Sequence, residues 1–160
     1  MTLPASLTAA LGHADHMDAL STEADRPLLP FIEELLAFQP PWLTALYHLR
    51  RVLLGLAGHR TGVPPRGARP RVPTQPGEQA AFFTVEDAGP THWLAGATEA
   101  HLTARLAVLQ TPGTARRYRY RVVTVVQYHN RLGRVYFALI QPFHELVVRA
   151  MLRRAARNAS

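Results

Sequence analysis

The run HADHMD, residues 13–18, places two histidines and two aspartates within six positions, side-chain types that bind zinc or move a proton. His13, His16 and Asp18 are the candidate ligands. Their spacing sits in a short segment with no distant fourth ligand indicated, so a solvated segment is expected and no metal site is assigned. His101 and Arg105 lie four residues apart in HLTARLAVL, on one face if that run is a strand. With Arg121 of the following run they would form a cationic set for a carboxylate or other anion, the alternative being an exposed polar face. His144 falls at the margin of an apolar helical side, where it serves as a structural or ligand-contacting histidine or as an acid–base group. Trp93, Tyr120, Thr124, Tyr128 and Tyr136 carry large apolar bodies or polar tips suited to lining a ligand cavity, and equally suited to filling it. No residue is assigned a catalytic role.

Composition removes several chemistries. The chain has no cysteine, which excludes thiolate nucleophiles, iron–sulfur ligation and disulfides. All 18 basic residues are arginine, so there is no lysine for a Schiff base, pyridoxal phosphate or a phosphate-binding P-loop. The three serines lie outside any G-x-S-x-G elbow, and no G-x-G-x-x-G marks a dinucleotide site. No cofactor is expected. Charge is uneven: residues 1–100 hold seven arginines against ten acids, whereas residues 101–160 hold eleven arginines against Glu145 alone. That imbalance raises anionic partners. Without the aromatic and glycine signatures of a nucleic-acid module, however, solvated arginines on outer faces are the expected reading, and no nucleic acid is expected to bind.

At 160 residues the chain suits a single domain able to bury roughly 70% of its unfolded surface. Met1 to Gly12 lacks the basic start and apolar core of a signal peptide, and the best apolar run, Val135 to Val148, is interrupted by Gln141, Pro142, His144 and Glu145. No integral membrane segment and a cytoplasmic location are therefore expected. Met17 to Leu20 reads as a first edge strand. A helix is predicted from Pro30 to Phe38, stopped by Pro40 and Pro41. Pro41 opens a second helix, whose apolar stripe is Trp42, Leu46, Leu49, Leu53 and Leu56. Residues 58–79 hold five prolines, four glycines and four arginines and read as an irregular surface segment, a connector or a lid. Strands are predicted at Ala80–Glu86, Thr91–Ala97, His101–Leu109 and Arg117–His129.

Burial sets an expected register for the last hairpin: Leu106 opposite Tyr120 and Leu102 opposite Thr124, with Arg105 beside Arg121 on the other face. After the last strand, Asn130 is the expected N-cap of a long helix. Its apolar side gathers Leu132, Val135, Tyr136, Leu139, Ile140, Phe143, Leu146, Val147 and Ala150, flanked by Phe137, His144 and Val148. Pro142 predicts a kink between Ala138 and Pro142. Core packing against the sheet is the expected role of this helix, and an anionic membrane surface the alternative.

The stretch TVVQYHNRLGRVYFALIQPFHELVVRAMLRRAAR, with HLTARLAVL, ADHMDAL and PPWLTALYHLRRVLLGL, resembles the bacterial domain of unknown function 2867 over nearly the whole chain. The most specific pieces are His129–Gly133 (HNRLG) and Pro142–His144 (PFH). That resemblance implies a branch of the START-like, or SRPBCC, helix-grip superfamily, in which an antiparallel sheet curls around a long C-terminal helix. Such folds take lipids, sterols, polyketides or aromatic compounds. Four or five strands are legible here, against the six or seven common in the superfamily. No functional residues come with the family.

The expected fold is thus α+β and helix-grip, one domain over 1–160. The expected partner is a small hydrophobic or amphipathic molecule, held between sheet and helix by apolar burial at about 25 cal/mol per Å² with one or two polar groups fixing orientation. Alternatives are a cyclase- or hydrolase-like enzyme using His144 or His101, and an interaction module that serves a dehydrogenase-like protein or forms a homodimer through Val123 and Val125.

Overall fold

The alternating apolar residues of the C-terminal half do form strands. The computed structural model describes residues 3–38, 48, 51–52, 71–80 and 83–157. In chain order the elements are α1 (Ala5–Leu11), β1 (His16–Ala24), α2 (Leu28–Leu36), β2 (Gln79–Ala80), β3 (Phe83–Gly89), β4 (His92–Thr98), β5 (Leu102–Pro112), β6 (Tyr118–Tyr128) and α3 (Arg131–Arg157). The strands make one six-stranded antiparallel sheet in the order β1-β6-β5-β4-β3-β2. With α3 laid along it, this is an α+β, helix-grip-like architecture.

The sheet has a core on each side. On one face Trp93, Ala95, Leu106, Val108, Tyr120 and Val122 meet Phe31, Ile32 and Leu35 of α2 and Val148, Leu152 and Ala155 of α3. Residues one position along each strand point the other way. There Leu94, Ala107, Leu109, Val123 and Val125 pack beneath Leu7 of α1. The seven-residue α1 has no side-chain N-cap, and a hydrogen bond from Ser6 Oγ to Asp87 Oδ2, 2.7 Å, ties it to β3. Val123 and Val125 are therefore buried under α1 and form no open dimerisation face.

β1 is an edge strand as expected, but it starts one residue earlier and extends four residues beyond the predicted end in a ladder with β6, up to Ala24 opposite Tyr118. The predicted strand Ala80–Glu86 instead covers Ala80 of β2 and Phe83 to Glu86 of β3, two antiparallel strands paired Gln79 to Thr84 and Ala80 to Phe83. The expected hairpin register is corrected by four residues: Leu106 faces Thr124, Leu102 faces Tyr128, and Arg105 faces Val125. The inward set is right, because burial discriminates odd from even slips. It does not discriminate a slip of four, and the turn decides that.

The turn is held from β1 and from the residues just after it. The carboxylate of Glu23 accepts the backbone N–H groups of Thr114, Ala115 and Arg116 at 3.2, 2.7 and 3.0 Å, together with the Arg119 guanidinium. Asp25 accepts the N–H of Arg117 at 2.9 Å and the side chain of Arg116 at 3.0 Å. The loop is thereby fixed at residues 113–117, later than the expected 111–114.

α2 starts after Pro27 and runs two residues earlier than predicted at each end. Its buried Glu34 pairs with Arg26 at 3.2 Å, and Arg154 of α3 lies 3.9 Å away. The second predicted helix lies largely outside the described residues; His48, Arg51 and Val52 within it are helical. Most of the 58–79 segment is likewise outside them, and its described end places Val72 in the core.

The 27 residues of α3 form one unbroken helix that carries Pro142 in its interior. Asn130 caps it: its Oδ1 accepts the N–H of Gly133 at 3.0 Å. The buried side of α3 is corrected. Gly133, Tyr136, Phe137, Val148, Leu152 and Ala155 are its buried residues, packed on the sheet and α2, so Tyr136 keeps its expected place and Phe137 and Val148 of the predicted flank join the contact face. Val135, Leu139, Phe143 and Leu146, assigned to the core from sequence, point to solvent.

Candidate functional site

The inward face of the sheet carries two apolar clusters. The larger one lies under α2 and the C-terminal half of α3. The smaller gathers Leu102, Val126, Tyr136 and Phe137, with Tyr128 and Ile140 packed beside it. Between them, along β1, β6 and the middle of α3, runs a polar seam.

The seam is built from strand alternation and helix spacing. His16 and Asp18 project from the same side of β1, and Asp18 stands opposite Thr124 on β6. His144, seven residues beyond Phe137 and four before Val148, reaches down from α3. Asp18 Oδ2 lies 3.5 Å from His16 Nε2 and 3.4 Å from His144 Nε2. These contacts are too long for good hydrogen bonds. The ring of Phe137 is 4.7 Å from that of His16 and 6.0 Å from that of His144, so an apolar wall backs the carboxylate. The facing nitrogens of both histidines, both Asp18 oxygens and Thr124 Oγ1 are buried without a hydrogen-bonding partner among the described residues. The side chains themselves keep 19 to 24% exposure in the two histidines and Asp18, so the seam lies close to the protein surface.

Electrostatics follow from that arrangement. Burial pushes the Asp18 carboxyl upward, but His144 and His16 together outweigh it and hold it below the ordinary carboxylate value. An ionised carboxylate between two imidazoles can orient a neighbouring histidine, accept a proton, or receive a hydrogen bond from a ligand's hydroxyl or amine. Among the described residues no group of three such side chains is arranged to hold a metal ion.

The predicted cavity residues divide between the clusters and the seam. Trp93 and Tyr120 are fully buried core residues. Trp93 donates its indole N–H to the carbonyl of Pro73 at 3.0 Å, and Tyr120 stacks on Phe31 with centroids 3.9 Å apart. The Tyr120 hydroxyl donates to the Arg26 carbonyl at 2.6 Å, and burial pushes that phenol well above its ordinary value. Tyr128 and Tyr136 belong to the smaller cluster, and Thr124 and His144 to the seam.

The three residues of the proposed anion set do not converge. Arg105 donates its Nε–H to both oxygens of Glu86, at 3.0 and 2.9 Å. That pair crosses β4 above Gly96, where a Cβ would strike the Glu86 carboxylate, and a bulge between Val85 and Asp87 aims Glu86 at it. His101 is buried edge-on against Tyr136, with Glu99 at 3.5 Å. Arg121 is exposed, opposite Leu109 on one side and Ser21 on the other. His13 is exposed ahead of β1.

Sequence reasoning had each member of the seam in view but not their meeting. Alternation through His16, Asp18, Leu20 and Ala24 does mark a buried face, and the Phe137, His144, Val148 spacing marks another. What joins them is the contact of α3 with β1, across more than a hundred residues of chain.

The distinctive HNRLG and PFH segments resolve into different jobs. The N–H of His129 donates to the His101 carbonyl at 2.9 Å, His129 Nε2 is hydrogen bonded to Thr103 Oγ1 at 2.9 Å, and Asn130 reaches the Ala100 carbonyl. At Gly133 a Cβ would collide with the His101 carbonyl. HNRLG is thus a clasp between the start of α3 and the start of β5. PFH delivers His144 to Asp18.

No curated protein matches the chain. The crystal structure of protein MLL2253 from Mesorhizobium loti is similar at 12% identity and a TM-score of 0.47, covering 91% of this chain and 99% of that one. A family model described as "Protein of unknown function (DUF2867)" matches residues 9–151, and the chain that joins ADHMDAL to PFH across this seam belongs to that family.

Proposed function

We propose that this chain binds a small apolar or amphipathic molecule at the seam between α3 and the β1–β6 edge of the sheet. The observation that carries this reading is the group of buried polar atoms on His16, Asp18, Thr124 and His144 that make no hydrogen bond among the described residues. Leaving a buried polar atom such as Asp18 Oδ1 or Thr124 Oγ1 without a hydrogen bond costs about 1–3 kcal/mol, a cost that a ligand's polar end would offset. Phe137, Ile140 and Tyr128 beside them offer apolar surface for the remainder of the molecule. A helix laid on an antiparallel sheet also supports kinship with START-like ligand carriers. In this reading Trp93 and Tyr120 are scaffold, while Tyr128, Tyr136, Thr124 and His144 stand at or near the site.

An acid–base enzyme acting on such a molecule is the second reading, supported by the 3.4 Å approach of Asp18 to His144, the arrangement of a carboxylate that orients a histidine base. Native mass spectrometry of freshly purified protein, followed by thermal shifts with lipids, sterols and aromatic acids, separates the outcomes. A bound or stabilising compound whose effect falls at least tenfold in Asp18→Asn is expected. If nothing co-purifies and no compound moves the melting temperature, the ligand reading fails. Retained binding with lost turnover in His144→Ala moves the assignment to the enzyme.

A further inference from the structure

The seam occupies only the inner side of α3. Val135 and Leu139 are each 58% exposed, Phe143 46% and Leu146 56%, four large apolar side chains on one helical stripe turned away from the buried Gly133, Phe137, Val148 and Leu152. The other exposed large apolar residues among those described, Met17, Leu29 and Val52, come from three separate places in the chain. The stripe is therefore a continuous patch of the kind that marks an interaction surface.

Its surroundings select the occupant. Arg131, Arg134, Arg149, Arg153 and Arg157 are exposed on the same helix, and Glu145, 3.9 Å from Arg149, is the single acid of residues 101–160. Two copies meeting along this stripe would set arginine against arginine, with one glutamate per chain to answer. A surface carrying fixed negative charge above an apolar layer satisfies both the stripe and its border. α3 is long and apolar enough to meet the length and composition of a membrane span, yet its opposite side is committed to the sheet through Tyr136, Phe137, Val148 and Leu152. Only one face is left for lipid, which fits lying on a bilayer rather than crossing it.

We infer that α3 docks the protein in plane on an anionic lipid bilayer, with Val135, Leu139, Phe143 and Leu146 entering the acyl boundary and the arginines meeting lipid phosphates. This inference uses the outer side of the helix and does not rest on the ligand reading, which uses the inner side.

The full chain is tested by co-sedimentation with vesicles of phosphatidylglycerol mixed into phosphatidylcholine and with vesicles of phosphatidylcholine alone. Binding to the mixed vesicles is expected, weakened about tenfold or more without the anionic lipid and weakened by salt as the Debye length shrinks. The double variant Leu139→Asp, Phe143→Asp is expected to lose binding at least tenfold while its melting temperature stays within about 2 °C of the parent, since exposed positions change stability little. Absence of vesicle binding overturns the inference, as does equal binding by the double variant or indifference to anionic lipid. A melting temperature lowered by about 5 °C or more also overturns it, because the stripe is then covered by the chain itself. So does a dimer in sedimentation velocity that the double variant dissociates, which assigns the stripe to a second copy.

Discussion

At the scale of single residues, two glycines show how the same missing Cβ serves different ends. At Gly133 the obstacle is the His101 carbonyl, part of a backbone held by the His129 N–H and unable to retreat. At Gly96 it is the end of the Glu86 side chain, which can swing away at the loss of an exposed ion pair with Arg105. Gly133→Ala is therefore expected to destabilise by about 2–3 kcal/mol, the cost of overpacking against a fixed neighbour. Gly96→Ala is expected to cost no more than about 1 kcal/mol. Equilibrium denaturation of the two variants checks the order, and equal losses would remove the distinction between clasp and surface pair. Neither role was legible in the sequence, where Gly133 stands out only as part of HNRLG. Asn130 was legible as a cap because its chemistry is local. His144, by contrast, displayed its helical position but not its partner, since Asp18 is brought to it by the sheet.

At the scale of elements, the residues most clearly assigned from sequence were apolar, β-branched and aromatic runs bounded by turn residues. β4, β5 and β6 were placed to within a few residues for that reason, although both of their faces are buried. α1 was not anticipated at all: seven residues with no cap and one buried leucine carry too little periodicity to announce a helix. The structure gives it a large task, because Leu7 closes the outer core over Val123 and Val125. Leu7→Ala is expected to cost about 2–3 kcal/mol in unfolding free energy and to raise the fluorescence of an apolar dye as the outer valines open to solvent. A loss below about 0.5 kcal/mol would mean that α1 is dispensable to the sheet. α3 shows the opposite difficulty. Apolar residues run most of the way around it, so periodicity identified the helix but misjudged which side meets the sheet. The side was settled by where Gly133 and Phe137 must sit once the clasp is made.

At the scale of the whole molecule, acid should act through carboxylates rather than through the arginines that dominate the net charge of +7. Glu23 is held far below its ordinary value of 4.5 by the backbone N–H groups of Ala115 and Thr114, the Thr114 hydroxyl and Arg119. Asp18 is likewise held below its ordinary 3.8. Each binds fewer protons folded than unfolded, so its stabilisation is complete above those ordinary values and is lost as pH falls through the lower folded ones. Melting temperatures across pH should show a steep drop below about pH 4. The double variant Asp18→Asn, Glu23→Gln should melt lower at neutral pH and lose less in acid; an acid profile parallel to that of the parent would contradict this. The sheet order that makes these contacts also governs how the molecule is made. β1 pairs with β6 about a hundred residues later in the chain, and its end holds the β5–β6 turn. On a ribosome, α1, β1 and α2 therefore emerge long before their main partner exists, and β1 must stay free of other edges until β6 is synthesised. Closure of the sheet is a late event in synthesis, and the protein's exposure to misassociation is set by the time its first strand waits for its last.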